Sequence, residues 1–152
     1  MKKGKKSFLD KMRPDMQPEL VGDPRSDGRM LIPTPKLVAA VVRSVPRGKL
    51  ITPSAIRARL AREHGADLTC PLTTGIFLNI VAGAAQEELD AGRRAVAPYW
   101  RVVKDNGALC AKFPAGVARQ AELLRVEGHR VVQPARGKVP RVEGFAARLV
   151  AG

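Results

Sequence analysis

The chain is poor in cysteine, histidine and aromatic residues, and these shortages exclude several classes of protein. The two cysteines, Cys70 and Cys110, lie far apart without a Cys-x-x-Cys spacing, so neither a disulfide framework nor a thiolate zinc site is predicted. The two histidines are also far apart, and no glycine-rich phosphate loop is present, so no metal, nucleotide or other cofactor is expected. No apolar run approaches the roughly 20 residues that cross a bilayer, so no membrane partner is expected.

Acidic residues are scarce relative to basic ones. The 152 residues include 27 Lys and Arg against 14 Asp and Glu, which gives a formal net charge of +13. Because a Lys or Arg that neutralises a phosphate releases condensed counterions, a nucleic acid is the first candidate partner. A merely soluble basic surface is the alternative that charge leaves open. With 45% hydrophobic residues, the chain has the composition of one folded domain.

The two ends of the chain differ in composition from its centre. Residues 1–32 mix lysines with prolines and glycines and show no sustained periodicity, which predicts a basic extended or loosely packed arm. Residues 133–152 are predicted to be a basic C-terminal extension, with a strand at 139–143 and a helical turn at 145–150. The basic N-terminus precedes no apolar stretch, so no export is predicted, and the expected location is cytoplasmic and nucleoid-associated.

Helix start signals mark the beginning of the central region. Thr34 and Thr52 are each followed by a proline, the pattern of an N-cap with proline at the first helical position. The first helix is expected to end at Pro46, and Gly65 is placed to cap the second helix in a left-handed conformation. A third helix is predicted to start near Cys70, with a buried stripe at Ile76, Phe77, Ile80, Val81 and Ala84.

A hairpin is predicted downstream of these helices. Residues 97–103 favour an extended conformation, and Asp105-Asn106-Gly107 has the composition of a tight turn, so residues 102–104 are expected to pair with 108–112. A last helix should end near Gly128, before a strand at 129–132. A short-turned pair of helices followed by a hairpin predicts an α+β winged helix-turn-helix, mostly helical with a small β-hairpin wing.

The order of these parts resembles a known family. The residues that carry the resemblance are Ala97-Pro98-Tyr99-Trp100-Arg101-Val102-Val103, Asp105-Asn106-Gly107-Ala108-Leu109, Leu123-Leu124, Glu127-Gly128-His129 and, upstream, Val45-Pro46-Arg47-Gly48-Lys49. They resemble the C-terminal, DNA-binding domain of methylated-DNA–protein-cysteine methyltransferases, which repair O6-alkylguanine. The resemblance covers residues 33–132. It implies a winged-helix DNA-binding domain over that range.

The family's catalytic pair is replaced in this chain. The core motif reads Pro-Cys-His-Arg-Val in the family, so Tyr99 stands at the acceptor cysteine and Trp100 at the activating histidine; of the proton relay only Glu127 is kept. Alkyl transfer needs a thiolate, and neither a phenol nor an indole supplies one. We therefore expect no catalytic residue and no alkyltransferase activity. The chain is similar in this respect to the non-catalytic alkyltransferase-like proteins.

Two alternatives remain open at this stage. Cys70 or Cys110 would serve as the acceptor in an active methyltransferase, although a packed structural cysteine is the favoured interpretation of each. In the other alternative, a protein-interaction module keeps the fold without binding DNA.

The residues that evert the damaged base in the family are also absent. The resemblance places a tyrosine at Pro53 and an arginine near Thr74 and Gly75, where this chain has neither.

A base pocket and a DNA interface are predicted nevertheless. Aromatic faces near the motif are candidates to stack on a base, although sheet packing is the favoured alternative; the predicted pocket residues are Pro98, Tyr99, Trp100 and Glu127. The expected partner is double-stranded DNA, either unmodified or alkylated, and a further repair-protein partner stays unspecified. Phosphate or groove contacts are expected from Arg57, Arg59, Arg62, Thr73, Thr74, Arg101, Asn106 and Gly107.

Overall fold

The computed structural model describes residues 7–133 and 135–151. The helices of this part of the chain are α1 (Pro35–Arg43), α2 (Pro53–Glu63), α3 (Pro71–Asp90) and α4 (Gly116–Val126). The strands are β1 (Glu19–Gly22), β2 (Arg29–Ile32), β3 (Leu68–Thr69), β4 (Val131–Val132) and β5 (Arg141–Val142). Short 3₁₀ helices lie at Asp10–Met12, Tyr99–Arg101 and Phe145–Arg148.

The predicted helix starts are confirmed. The Thr34 hydroxyl accepts a hydrogen bond from the N–H of Leu37 at 3.1 Å, and the Thr52 hydroxyl accepts one from the N–H of Ala55 at 3.2 Å. Each bond satisfies an N–H that the helix leaves without an internal partner. Gly65 follows α2 with φ +63°, the left-handed conformation expected of a glycine at that position.

The core lies between α1, α3 and the segment that follows α3. Val38 and Val42 of α1 are fully buried, and Phe77 and Val81 of α3 are part of the same apolar cluster. The predicted stripe on α3 is wrong at Ile76, which is 49% exposed. Periodicity locates a buried face along a long helix, but it does not reveal which positions near the helix start stay uncovered: Thr74 and Phe77 are buried there, and Ile76 is not.

The predicted N-terminal arm is replaced by an ordered hairpin in residues 19–32. Strands β1 and β2 pair antiparallel with Leu20 opposite Leu31, and β2 pairs in parallel with β3, placing Leu31 beside Thr69. Leu31 is 1% exposed, so this hairpin belongs to the same folded body as the helices. The four N-terminal lysines, on which the basic arm was also predicted, lie outside the described residues.

The C-terminal residues pack on the domain instead of extending from it. Leu50 donates its N–H to the carbonyl of Arg148 at 2.9 Å and accepts from the N–H of Val150 at 2.8 Å. Strand β5 pairs antiparallel with β4, and Val142 is 1% exposed. The predicted strand and helical turn are both present, in shorter form, at β5 and Phe145–Arg148.

The wing forms around its predicted turn but pairs with a different partner. Gly107 has φ +82°, and the N–H of Lys104 donates to the carbonyl of Ala108 at 2.9 Å, which closes the turn. The ladder predicted beyond it is wrong, because the N–H of Leu109 donates instead to the carbonyl of Pro140 at 2.9 Å. The preceding segment, predicted to be extended, forms the 3₁₀ helix Tyr99–Arg101.

The α+β class with a helix pair, α2 and α3, is confirmed. In residues 7–133 and 135–151, no helix combines the length and the apolar character that crossing a membrane requires.

The ring of Phe8 packs against α3 at Gly83. Two glycines of α3 give a matched test of this contact. An added Cβ at Gly83 would overlap the ring of Phe8, whereas one at Gly75 would meet no atom within 4 Å. We expect Gly75→Ala to raise the free energy of unfolding by up to about 1 kcal/mol through helix propensity. Gly83→Ala should lower it by roughly 1–3 kcal/mol through overpacking. Urea denaturation measures both.

The loss of unfolding free energy caused by Gly83→Ala should depend on the Phe8 ring. In a Phe8→Ala background, Gly83→Ala should lose its cost and behave like Gly75→Ala. An unchanged penalty in that background would show that Phe8 does not pack on α3 as described.

Candidate nucleic-acid interface

The second and third helices form the helix pair on which the predicted interface depends. Arg57, on α2, is half-buried and donates from Nη2 to the Ser54 hydroxyl at 3.3 Å. Arg62 is exposed and lines a shallow depression with Arg57 between α2 and β3. These two arginines therefore lie on the side of α2 that faces the start of α3.

Arg59 is committed to contacts within the protein. Its Nε lies 3.2 Å from Oε2 of Glu63, one turn further along α2, and its Nη1 donates to the Ser44 hydroxyl at 2.7 Å. These bonds connect α2 to the end of α1. A phosphate contact by Arg59 would have to replace them.

The polar start of α3 is less accessible than predicted. Thr74 is fully buried and donates its hydroxyl to the Cys70 carbonyl at 2.7 Å, so the prediction that it faces a groove is wrong. Thr73 is half-buried. The exposed large apolar side chains of these turns are Leu72 and Ile76, which the sequence analysis did not assign to the interface. Their spacing of four residues places them on one face of α3, but it gives no signal that this face is exposed.

Arg101 does not face solvent, which contradicts its predicted role as a phosphate ligand. Its Nη2 lies 2.8 Å from Oε2 of Glu127, its Nε donates to both oxygens of the same carboxylate, and its Nη1 donates to the Val45 carbonyl at 2.6 Å. The side chains of Arg101 and Glu127 are 13% and 2% exposed. The pair is a buried structural ion pair.

The Glu127 carboxylate has more hydrogen-bond donors than the arginine alone. It also accepts from the Trp100 indole N–H at 2.7 Å and from the Gly48 N–H at 3.1 Å. Burial by itself raises the pKa of Glu127, but the bonds from Arg101, Trp100 and Gly48 outweigh it and hold the pKa below its ordinary value. The glutamate is therefore an anion at neutral pH.

The predicted base pocket at the motif is closed. Tyr99 is fully buried, its ring packs edge-on against Trp100 and Phe113 with centroids 5.5 Å apart, and its hydroxyl donates to Oε1 of Gln86 at 2.8 Å. Pro98 is buried as well. The prediction of an open pocket lined by these residues is wrong. They pack in the core, which was the favoured alternative.

A cavity open to solvent lies next to Phe113, whose ring packs against Tyr99. It has a volume of about 390 Å³ and is lined by the start of α2, the first turns of α3 and residues 110–113. Leu72, Ile76 and Phe113 give it largely apolar walls. Its cationic side chains are Arg57, Lys104 and Lys112; the last two were not predicted, because nothing in the local sequence indicates that residues 104 and 112 meet α2.

The wing turn lies next to this cavity. Asn106 lines an adjoining depression with Arg57 and Lys104, and its side-chain oxygen accepts from the Ala108 N–H at 3.0 Å. Asp105 accepts from the Ser54 hydroxyl at 3.3 Å, which joins the turn to the start of α2. The structure thus brings together two of the predicted site residues, Arg57 and Asn106. Gly107 is buried, and an added Cβ there would overlap the ring of Phe145, so the prediction that it contacts DNA is wrong.

The two cysteines have different environments. Cys110 is 8% exposed at the edge of the cavity, and burial raises the pKa of its thiol to about 11. Cys70 is half-buried; burial raises its pKa, but hydrogen bonds from the Thr73 hydroxyl and from the N–H groups of Thr73 and Leu72 outweigh burial and lower it. Among the described residues, no group of three or more His, Cys, Asp or Glu is placed to hold a metal ion.

Comparison with solved structures identifies the architecture. The chain superposes on S. pombe Atl1 in complex with damaged DNA containing O6-carboxymethylguanine, with a TM-score of 0.54 at 20% identity, covering 78% of this chain and 94% of that one. A second structure, S. pombe ATL in complex with DNA, gives the same values. The chain has the fold of these proteins. No family model and no curated protein sequence matches it.

The Glu127 cluster predicts a pH dependence of stability. Because folding lowers the pKa of Glu127, the ion pair contributes stability above the ordinary value of 4.5 and loses it as the pH falls through the folded-state pKa. Glu127→Gln should lower the free energy of unfolding by roughly 3 kcal/mol at pH 7, since Arg101 keeps a buried charge. That difference should shrink below pH 4.5.

Glu122→Gln is the matched control. Glu122 is 64% exposed and paired with Arg119 on α4, so its replacement should cost less than about 1 kcal/mol. Equal costs at both positions, or a pH-independent cost at Glu127, would contradict the role given to the buried pair.

Proposed function

We propose that this protein is a non-catalytic DNA-binding protein of the alkyltransferase-like type, which recognises alkylated guanine in duplex DNA. The observation that carries the proposal is the state of Tyr99. Tyr99 stands at the acceptor position of the family that the chain resembles. It is fully buried and hydrogen-bonded, and the ring of Phe113, which lines the open cavity beside α3, packs against it.

The chemistry of the motif position argues against alkyl transfer. Burial raises the pKa of Tyr99 to about 12, so its phenol stays protonated, and its hydroxyl is held by Gln86. Trp100 preserves the hydrogen bond to Glu127 that a relay would need, but an indole N–H donates only and cannot accept a proton. The hydrogen bond to Glu127 that a proton relay would use is thus present, but Trp100 is not a base and Tyr99 is not a nucleophile.

Cys110 does not replace the missing nucleophile at this position. Cys110 reaches the cavity, but its raised pKa of about 11 keeps it a thiol, and its Sγ donates to the Val102 carbonyl at 3.5 Å. A buried neutral thiol packs like a small apolar side chain and is a poor acceptor of alkyl groups.

Binding to DNA is supported by the surroundings of the cavity. Arg57, Lys104 and Lys112 line it, the chain carries a net charge of +13, and the helix pair α2–α3 presents the start of α3 beside these cations. The S. pombe protein with the same fold is described in complex with DNA containing O6-carboxymethylguanine. An extrahelical alkylated base is an occupant that such a cavity suits, because apolar walls favour an alkyl group.

Salt-dependent binding tests the cationic rim. In fluorescence titrations of a duplex, we expect affinity to fall with salt, and to be higher when the duplex contains O6-alkylguanine. Arg57→Gln should make the slope of log affinity against log salt shallower by about 1, as the loss of one phosphate contact does.

Arg93→Gln is the control for that titration. Arg93 is 69% exposed beyond the far end of α3, a helix about 30 Å long, so removing its charge should leave the slope unchanged. Binding that is absent at low salt or flat with salt would reject DNA as the partner. A protein-interaction function would then be the better account of the fold.

The absence of catalysis has a direct test. After incubation with duplex DNA containing O6-methylguanine, the intact protein should show no added methyl group by mass spectrometry, while it still binds the same duplex. A stable methyl adduct would contradict the proposal, and peptide mapping would assign it to Cys70 or Cys110.

A further inference from the structure

Two large apolar side chains are exposed at the start of α3. Leu72 and Ile76 lie one turn apart and are 73% and 49% exposed, and Leu72 is the most exposed large hydrophobic residue in the described part of the chain. Neither belongs to the buried core or to the apolar residues packed on it. Gly75, between them, leaves the space beside the helix open, since an added Cβ would meet no atom within 4 Å.

The charges around this pair restrict what can cover it. Leu72 and Ile76 share one cavity with Arg57, Lys104 and Lys112. A second copy of the same face would bring these cations against one another, which opposes self-association. A partner that fits must be anionic at its rim and apolar inside. Duplex DNA has both properties, because its phosphates flank a stack of base faces.

We propose that Leu72, supported by Ile76, inserts between two base pairs when the start of α3 enters a groove, and that the displaced base occupies the adjoining cavity. The inference rests on the proposed function and adds to it the side chain that separates the bases. Leucine and isoleucine are among the apolar wedges by which DNA-binding proteins unstack a base step and kink the duplex.

The position of Leu72 suits this role. It is the second residue of α3, directly after Pro71, so its backbone belongs to the first turn of a 20-residue helix. It also forms the wall of the cavity nearest to that turn, together with Gly75 and Ile76. A base that the wedge pushes out of the stack therefore lies next to the cavity that receives it. Damaged bases leave the stack more easily than normal ones, so the wedge favours them.

The test measures binding and unstacking in the same sample. The probe is a duplex with 2-aminopurine next to an O6-methylguanine, because 2-aminopurine fluoresces more strongly when it is unstacked. Wild-type protein should raise the fluorescence at saturation. Leu72→Ala should lose most of that rise while keeping the salt-dependent binding, and Leu72→Met, which keeps an apolar wedge, should retain it.

Leu20→Ala provides the matched control. Leu20 is 42% exposed on β1 and does not line the cavity, so its replacement should change neither signal. Thermal unfolding of each variant checks that the fold is intact.

The outcomes separate the wedge from the proposed function. Loss of the fluorescence rise in Leu72→Ala, with binding retained and with Leu20→Ala unchanged, supports the wedge. Saturable binding without a fluorescence rise, or an undiminished rise in Leu72→Ala, overturns the wedge and leaves DNA binding standing. Absence of salt-dependent binding by the wild type overturns both.

Discussion

The ion pair between Arg101 and Glu127 joins parts of the chain that are distant in sequence. The guanidinium contacts both carboxylate oxygens and the Val45 carbonyl, and the carboxylate also accepts from Gly48. The connection between α1 and α2, the 3₁₀ helix Tyr99–Arg101 and the end of α4 are thereby fixed to one another. Removing either partner of such a pair leaves a buried charge, which costs about 3–5 kcal/mol. The position of α2 relative to the motif segment depends on this pair.

The same pair explains how the motif position accommodates two aromatic residues. Trp100 fills one of the remaining acceptor sites of Glu127 with its indole N–H, so a large ring is buried without an unsatisfied polar group. Gln120 secures the next turn, because its amide donates to the carbonyls of Trp100 and Val102 and its oxygen accepts from the N–H of Cys110. Tyr99 is then packed inside this network, where a reactive group would have no access to solvent. Phe113, against which the Tyr99 ring packs, lines the adjoining cavity.

The features that could be predicted from the sequence are those with a local cause. The threonine–proline helix starts at Thr34 and Thr52 were predicted because capping acts within one turn, and the glycine turn at Gly107 for the same reason. The hairpin in residues 19–32 was missed although its β1–β2 pairing is local. The contact that fixes it to the folded body, the pairing of β2 with β3, is long-range. Arg101 was misassigned because an exposed arginine and one that binds a distant glutamate look alike in sequence. The cavity was missed since it needs α2, α3 and residues 110–113 together.

The net charge of +13 overstates how many cations can meet phosphates. Arg101 is buried in its ion pair, and Arg59 and Arg119 are paired with glutamates on their own helices. An interface built on the few cations that line the cavity would release few counterions, so its affinity would depend on salt less steeply than the total charge suggests. Selectivity must then come from the uncharged part of the surface. That part is apolar, it lies at the start of α3, and salt does not screen it.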